Sequence, residues 1–306
     1  MKVSFIIPLF NCLPLTQAML ASLRATVPAD LAHEIILVDD GSTDGTREWL
    51  AGVGAPCRAL LNERNLGFAG ACNRGAAAAT GEILVFLNND LILLPGWLEP
   101  LLRTVTGHAD AALVGNVQRN AATGAIDHTG IFFNHKGKPE HSTARPPLAR
   151  LRGWRHMPAL TGACCAVRRE VWRQLGGFDT GFVNGAEDID LCLRAVAAGR
   201  RNYVSLRSVV RHHISASPGR KARDEQNSYR LMRRWSEVIA AQIPRAWCRH
   251  HLATYWEEPR DFPDARVARS ALFHALHLRP TPPFGALAGA RRAVTAELER
   301  WRAMFP

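Results

Sequence analysis

Short apolar runs alternate with helical stretches through the first hundred residues, and two of those runs stop on acids and amides. A strand is expected at 3–8, a helix at 14–26, and a second strand at 34–38 that ends on Asp39 and Asp40. Gly41-Ser42-Thr43-Asp44-Gly45 has turn chemistry and is expected to cap a helix near 45–51. A third strand follows at 58–61. Asn65-Leu66-Gly67-Phe68-Ala69 then opens an alanine-rich helix that runs to about Ala79. Thr80-Gly81 closes it, and 82–87 reads as a fourth strand ahead of Asn88-Asn89-Asp90. Pro95 is expected to start a helix over 95–106. Strands alternating with helices argue for an α/β fold with a mostly parallel sheet covered on both faces. Such sheets bind ligands at the carboxyl ends of their strands, where Asp39, Asp40 and Asp90 fall.

A third acidic cluster lies further on, in Val183-Asn184-Gly185-Ala186-Glu187-Asp188-Ile189-Asp190-Leu191. Ile189, Cys192, Leu193 and Val196 recur at helical spacing, so the acids occupy a first helical turn, which the helix dipole favours. Gly185-Ala186 ahead of them leave room for a ligand. Three such clusters point to one site along one edge of a sheet. Asp190 is expected to pair with Arg194 on the same helix.

The rest of the chain follows a different pattern. Residues 117–158 are rich in Gly, Pro, His and Arg and read as loops and short strands bordering a cleft. Thr161–Val167 reads as a small-residue strand, and 168–175 as a helix ended by Gly176-Gly177. Beyond Pro218 come Arg- and Trp-bearing amphipathic helices near 221–241, 245–256, 264–276 and 286–303. Two domains are expected, 1–217 and a helical extension over 218–306.

Charge and cysteines narrow the class. The net charge of +11 is uneven: −4 over 1–100, +8 over 101–214 and +7 over 215–306. A basic C-terminal two-thirds points to an anionic partner such as a nucleotide phosphate or a lipid head group. Neither a zinc-finger nor an RNA-binding signature accompanies the charge, so nucleic acid is not expected. The seven cysteines form no CxxC pair and read as reduced thiols of a cytoplasmic protein. The N-terminal apolar run is too short for a signal peptide. No apolar run reaches the ~18 residues of a membrane span.

The ordered set of motifs resembles the bacterial family 2 glycosyltransferases of the GT-A fold, in particular their rhamnosyltransferase-like branch. The resemblance is carried by Phe5-Ile6-Ile7-Pro8-Leu9-Phe10-Asn11, Val38-Asp39-Asp40-Gly41-Ser42-Thr43-Asp44-Gly45-Thr46, Asn65-Leu66-Gly67-Phe68-Ala69, Asn88-Asn89-Asp90, Gly176-Gly177-Phe178-Asp179 and Glu187-Asp188-Ile189-Asp190-Leu191. It spans 3–217 and leaves the C-terminal extension uncovered.

The resemblance implies inverting transfer of a sugar from a nucleoside diphosphate, dTDP-rhamnose or a UDP-sugar, to a hydroxyl of a glycan or lipid-linked acceptor in surface polysaccharide synthesis. It implies that Asp39 and Asp40 hold base and ribose, with Pro8, Phe10, Asn11, Asn65 and Gly67 around the same pocket. The family's Asp-x-Asp reads Asn88-Asn89-Asp90 here, so one carboxylate is missing. Asp90 is the implied ligand of Mn²⁺ or Mg²⁺, Asn88 faces the ribose or a metal-bound water, and Asn89 lies between. His212, 24 residues after Asp188, is the implied second protein ligand, with His213 the competing choice. A histidine suits Mn²⁺ better than Mg²⁺. Asp188 matches the family's general base, and Glu187 is implied to bind the acceptor or orient the loop.

Trp154 and the arginines of 145–155 are expected to line the acceptor cleft, with a buried Trp154 the alternative. Arg233, Arg234, Trp235, Trp256 and Trp301 are expected either on an anionic membrane surface, peripheral to the inner membrane, or in a helical cap. A non-catalytic sugar-nucleotide-binding subunit is the rival class, kept open by the altered Asn88-Asn89-Asp90. A nucleotidyltransferase would want a basic, glycine-rich loop after the first strand, and Pro8-Leu9-Phe10-Asn11 is not one.

Overall fold

A computed structural model describes residues 1–213, 224–254 and 265–305. The chain divides into two compact units, one of 1–131 with 141–223, the other of 132–140 with 224–306. The expected boundary at 217/218 falls in 214–223, outside the described residues. The segment 132–140 groups with the C-terminal helices, although it lies inside the expected first domain.

The first unit is built on a sheet. β1 (Val3–Leu9), β2 (His33–Asp39), β3 (Cys57–Leu61) and β4 (Ile83–Leu87) pair in parallel. β11 (Cys164–Arg168) runs antiparallel between β4 and β6 (Ala111–Asn120), and β12 (Arg201–His212) lies parallel to β6. β10 (Trp154–Met157) forms the far edge, antiparallel to β12. Two short strands flank this path: β5 (Leu91–Leu93) pairs with β12, and β7 (Ile126–His128) with β6. Along the main path four of seven pairings are parallel. β8 (Ile131–Phe133) and β9 (Pro139–His141) pair separately.

The central strands are apolar without alternation because helices cover both faces. Phe5 and Ile7 pack with Met19 and Leu20 of α1 (Leu13–Thr26) and with α4 (Leu98–Gly107). On the opposite face Ile6 meets α3 (Gly67–Ala78), where a Cβ at Gly75 would stand 2.5 Å from the Ile6 side chain. That close approach holds α3, and the loop before it, against the ends of β1 and β2. α6 (Arg169–Leu175) shares this side, its Trp172 ring 4.5 Å from that of Phe86 of β4 and tilted by 35°. α2 (Thr46–Leu50), α5 (Pro147–Arg152) and α7 (Glu187–Ala197) complete the unit.

Several boundaries differ from expectation. α4 starts at Leu98, not Pro95, because Gly96 takes φ +77° and turns the chain. Trp97 then drops into the core, and its indole N–H donates to the Thr26 hydroxyl at 3.1 Å. As expected, the 41–45 turn caps α2: Gly45 holds the N-cap position at φ +88°, and Asp44 Oδ1 accepts the Thr46 N–H at 3.3 Å. The long strands β6 and β12, which His212 ends, and the helix α5 have no counterpart in the sequence reading.

In the second unit α8 (Asp224–Gln242), α9 (Pro244–Thr254), α10 (Ala265–Ala275) and α11 (Ala286–Met304) pack together. Gly289 of α11 lies flat on Trp247 of α9, where a Cβ would stand 2.3 Å from the ring. Trp301 is 1% exposed, so it is core and not a surface residue. Arg233 and Arg234 are exposed and Trp235 is half-buried at a kink in α8. Trp256 lies outside the described residues.

Candidate active site

The loops at the carboxyl ends of β1, β2 and β4 meet the amino end of β11 and the start of α7. Tight backbone geometry marks the place. Among described non-glycine residues, five have positive φ, and four of them lie here: Asn11, Cys12, Asn184 and Ala186. Backbone held in this region costs on the order of 1 kcal/mol or more per residue and clusters at functional sites.

The β1 and β2 loops lock onto each other. Asn11 N–H donates to Ser42 Oγ at 2.9 Å, and Thr43 N–H donates to Asn11 Oδ1 at 2.8 Å. Asp39 accepts the Ser42 N–H at 3.2 Å and the Arg47 Nε–H at 2.7 Å. Asp40 accepts from Asn62 Nδ2 at 2.6 Å, Leu66 N–H at 2.8 Å and Gly67 N–H at 2.9 Å. Asp39 and Asp40 are 0% and 3% exposed, so both carboxylates point into the protein and shape the surrounding loops. Gly41, at φ +84°, is the residue that fits between them and the 64–65 backbone, since a Cβ would lie 3.1 Å from Asn65 N. Phe10 and Asn65 are exposed, while Pro8 and Gly67 are half-buried beside them.

The β4 end joins this group. Asn89 donates to Thr16 Oγ1 at 2.9 Å and to Asn11 O at 3.4 Å, so its amide braces α1. Asn88 N–H donates to Ala163 O at 2.8 Å, and Gly162 N–H donates to Asp188 Oδ2 at 2.8 Å. The segment 161–163 therefore couples Asn88 to Asp188. A Cβ on Gly162 would touch the Phe68 ring at 3.1 Å and the Asp188 side chain at 3.4 Å. Glu187 is buried and accepts the Gly185 N–H at 2.7 Å. As expected, Asp190 pairs with Arg194, at 2.9 Å. Arg194 also donates to the carbonyl oxygens of Leu175 and Gly177, which ties α7 to the preceding turn. Burial pushes the Cys72 thiol well up, and the charges of Glu187 and Asp40 push it further, so the site is electronegative around α3.

Asp90 and His212 come together, with Asp90 Oδ1 3.1 Å from His212 Nε2. Neither atom makes a hydrogen bond, both are buried, and Asn88 Oδ1 is in the same condition. Adjacent ligands of an octahedral ion with bonds of ~2.1 Å stand about 3 Å apart, which this pair matches. Among the described residues no group of three or more His, Cys, Asp or Glu could hold a metal. Two protein ligands with the remainder from water and phosphate is the usual arrangement for a nucleotide-bound cation. The donor set thus fits Mn²⁺ or Mg²⁺. The competing His213 gives its backbone N–H to Asp90 O at 3.1 Å.

Two outcomes correct or extend the expected set. Trp154 is not brought here. Its ring packs on His108, His156 and Tyr203 and against the core cluster of α4, away from the α3 side where Asp188 meets Phe68. A neighbour was missed in the sequence: His128, 1% exposed, stands opposite Gln118 and within 3.1 Å of His141. Burial, then the nearby His141 and His212, lowers its pKa to about 3. Only the histidine richness of 117–158 hinted at it.

Parallel strands with all these loops at one edge, an antiparallel strand beside β4 and helices on both faces define a GT-A glycosyltransferase fold. Solved structures share it. GalNAc-T7 with UDP, GalNAc and Mn²⁺ aligns over 97% of this chain and 58% of its own, with TM-score 0.63 and 17% identity. S. aureus TarS 1–349 aligns over 99% and 92%, with TM-score 0.57 and 15% identity. The chain belongs to glycosyl transferase family 2, whose family model matches residues 4–176. Among curated relatives, the O-antigen biosynthesis protein RfbC of Myxococcus xanthus is 30% identical over 252 residues, 76% of this chain. The Drosophila melanogaster polypeptide N-acetylgalactosaminyltransferase 8 is 30% identical over 199 residues, covering 59% of this chain and 32% of its own length. The chain spans 28% and 19% of the length of the first two curated relatives it matches, the latter being RfbC.

Proposed function

We propose that this protein transfers a sugar, with inversion, from a nucleoside-diphosphate donor to a hydroxyl of a glycan or lipid-linked acceptor in surface polysaccharide synthesis. The observation that carries the reading is the juxtaposition of Asp188, through Gly162 and Ala163, with the Asn88–Asp90 segment and the Asp90–His212 pair. A general base and a phosphate-binding position on neighbouring loops are what single displacement at an anomeric carbon requires. Asp188 takes the acceptor's proton as its oxygen attacks. Gly162 N–H fixes the carboxylate for that role. No covalent intermediate is needed, so no separate nucleophile is assigned.

Asp90 and His212 would hold the divalent cation, and the buried Asn88 Oδ1 is left to face the ribose or a metal-bound water. When bound, the cation neutralises charge on the departing diphosphate. Asp39 and Asp40 serve the nucleotide through the loops they hold, presenting Pro8, Phe10, Asn11, Asn65 and Gly67 to base and ribose. Glu187 orders the turn at Gly185 that faces the acceptor. UDP or dTDP sugars are the proposed donors. The relationship to an O-antigen biosynthesis protein supports a polysaccharide acceptor.

The helical unit meets an anionic membrane at its cytoplasmic side. Supporting this are Leu276, Leu278 and Phe284, at 57%, 71% and 92% exposure, near Arg279. No helix among the described residues is long and apolar enough to cross a membrane.

A panel of nucleotide sugars tests the transfer, read by donor hydrolysis and by calorimetry with and without Mn²⁺. Metal-dependent binding with turnover of one donor class is expected. Binding without turnover of any donor, with acceptor mixtures present, would favour the non-catalytic subunit.

A further inference from the structure

The stretch 141–169 contains no Asp or Glu, yet holds Arg145, Arg150, Arg152 and Arg155 before its last two residues. Arg207 of β12 joins them: its guanidinium lies across Gly153, where a Cβ would stand 2.8 Å from Arg207 Nε. Gly153 takes φ +83°, so glycine suits the position both sterically and conformationally. Among the described residues none of these five arginines forms an ion pair.

Three of them donate to backbone carbonyls, and Arg155 also to the Ser142 hydroxyl at 3.4 Å. Arg145 donates to Leu206 O at 3.4 Å, Arg155 to Ala144 O at 2.6 Å and Arg207 to Leu151 O at 3.3 Å. Arg145 Nε is buried and makes no hydrogen bond. Burial pulls the Arg155 guanidinium below its ordinary pKa, with no carboxylate opposing the shift. An open recess of about 460 Å³ lies among Arg145, Pro147, Arg150, Leu151, Leu206 and Arg207. A cluster of five cations without a counter-charge is held together against its own repulsion, which is the condition of a surface that meets anions.

The apolar side chains decide which anion. Leu148 and Leu151 of α5 are 71% and 76% exposed, three positions apart and so on one helical face. Two leucines in water beside arginines gain nothing from nucleic acid or a soluble phosphate. They gain from an acyl boundary, with the guanidiniums at phosphate level.

We propose that α5 and its arginines form a docking surface for an anionic phospholipid bilayer. The surface lies within the sheet-bearing unit and uses none of the residues named on the helical unit. It needs no donor or acceptor to act, so it stands or falls apart from the transfer reading.

Co-sedimentation of the full chain with phosphatidylglycerol–phosphatidylcholine vesicles, and with phosphatidylcholine alone, tests it. Two variants act on α5, Arg150→Ser/Arg152→Ser and Leu148→Ser/Leu151→Ser. A third, Leu278→Ser/Phe284→Ser, acts on the helical unit. All six side chains are exposed, and thermal melting checks that each variant keeps its fold. The wild type should bind the anionic vesicles, and high salt should release it. Each α5 variant should lower partitioning on the order of tenfold. Unchanged partitioning of both α5 variants overturns the proposal, as does equal binding to neutral vesicles. Loss confined to the helical-unit variant also overturns it. So does stabilisation by inorganic phosphate, or binding to single-stranded RNA, that the α5 variants weaken while vesicle binding stays intact.

Discussion

Asp40→Ala separates a carboxylate that holds a loop from one that touches a ligand. Asp40 accepts three hydrogen bonds, from Asn62, Leu66 and Gly67. Asn62 is 2% exposed, so stranding its amide costs the penalty of an unsatisfied buried donor, about 1–3 kcal/mol. Leu66 is 44% exposed and Gly67 half-buried, so water can replace the carboxylate there and each loss is nearer ~1 kcal/mol. The total is about 3–5 kcal/mol. At roughly 2–4 °C per kcal/mol for a domain of this size, melting should fall by about 6–20 °C. Nucleotide affinity should fall as well, because the Asn65–Gly67 loop loses its anchor. Asp40→Asn should fall between the two, since its amide keeps an acceptor but turns a donor toward one of the same N–H groups. Differential scanning calorimetry gives the first quantity and titration with UDP or dTDP the second. A melting point within about 2 °C of wild type, with nucleotide binding abolished, would refute the reasoning and put Asp40 against the ligand.

Asp188→Asn should lower turnover roughly 10²–10⁴-fold while donor affinity in calorimetry stays near wild type; turnover within tenfold would remove Asp188 as the base. Chelation by EDTA should abolish activity and Mn²⁺ restore it, and Asp90→Ala should weaken nucleotide binding only in the presence of metal. Identical UDP or dTDP affinity with and without Mn²⁺ in the wild type would end that assignment. Acid should destabilise the fold in part through His128, whose folded pKa of about 3 lies below its ordinary 6.5. Between those values the unfolded chain binds the extra proton, so stability is present above pH 6.5 and is lost as pH falls, by up to about 1.4 kcal/mol per pH unit. His128→Asn should flatten the fall in melting temperature between pH 6.5 and 5 relative to wild type, and parallel curves would contradict it.

The sequence alone determined the first half of the fold and the clusters that meet at the candidate site. The periodicities that placed β1 to β4 and α1 to α3 are local, and local propensity agreed with tertiary packing there. The acids and amides at 39–40 and 88–90 were legible as one edge because strand ends in a parallel sheet share a side, and the acids at 187–190 as a first helical turn. The Asp190–Arg194 pair was legible because helical spacing alone brings it together. Other features needed the tertiary structure. β6 and β12 carry Asn116, Gln118, Asn202 and Ser205 in buried positions, so no apolar alternation announced strands that only pairing with each other completes. His212 reaches Asp90 because β5 turns back antiparallel onto β12. The hydrogen bonds of Asp40 reach a loop up to 27 residues away, and chain folding alone decides that. Trp154 read as a cleft aromatic because residue type says nothing about which face of a sheet it takes. Its register on the edge strand β10, opposite Ser205, and its packing on His108 and Tyr203 decided that.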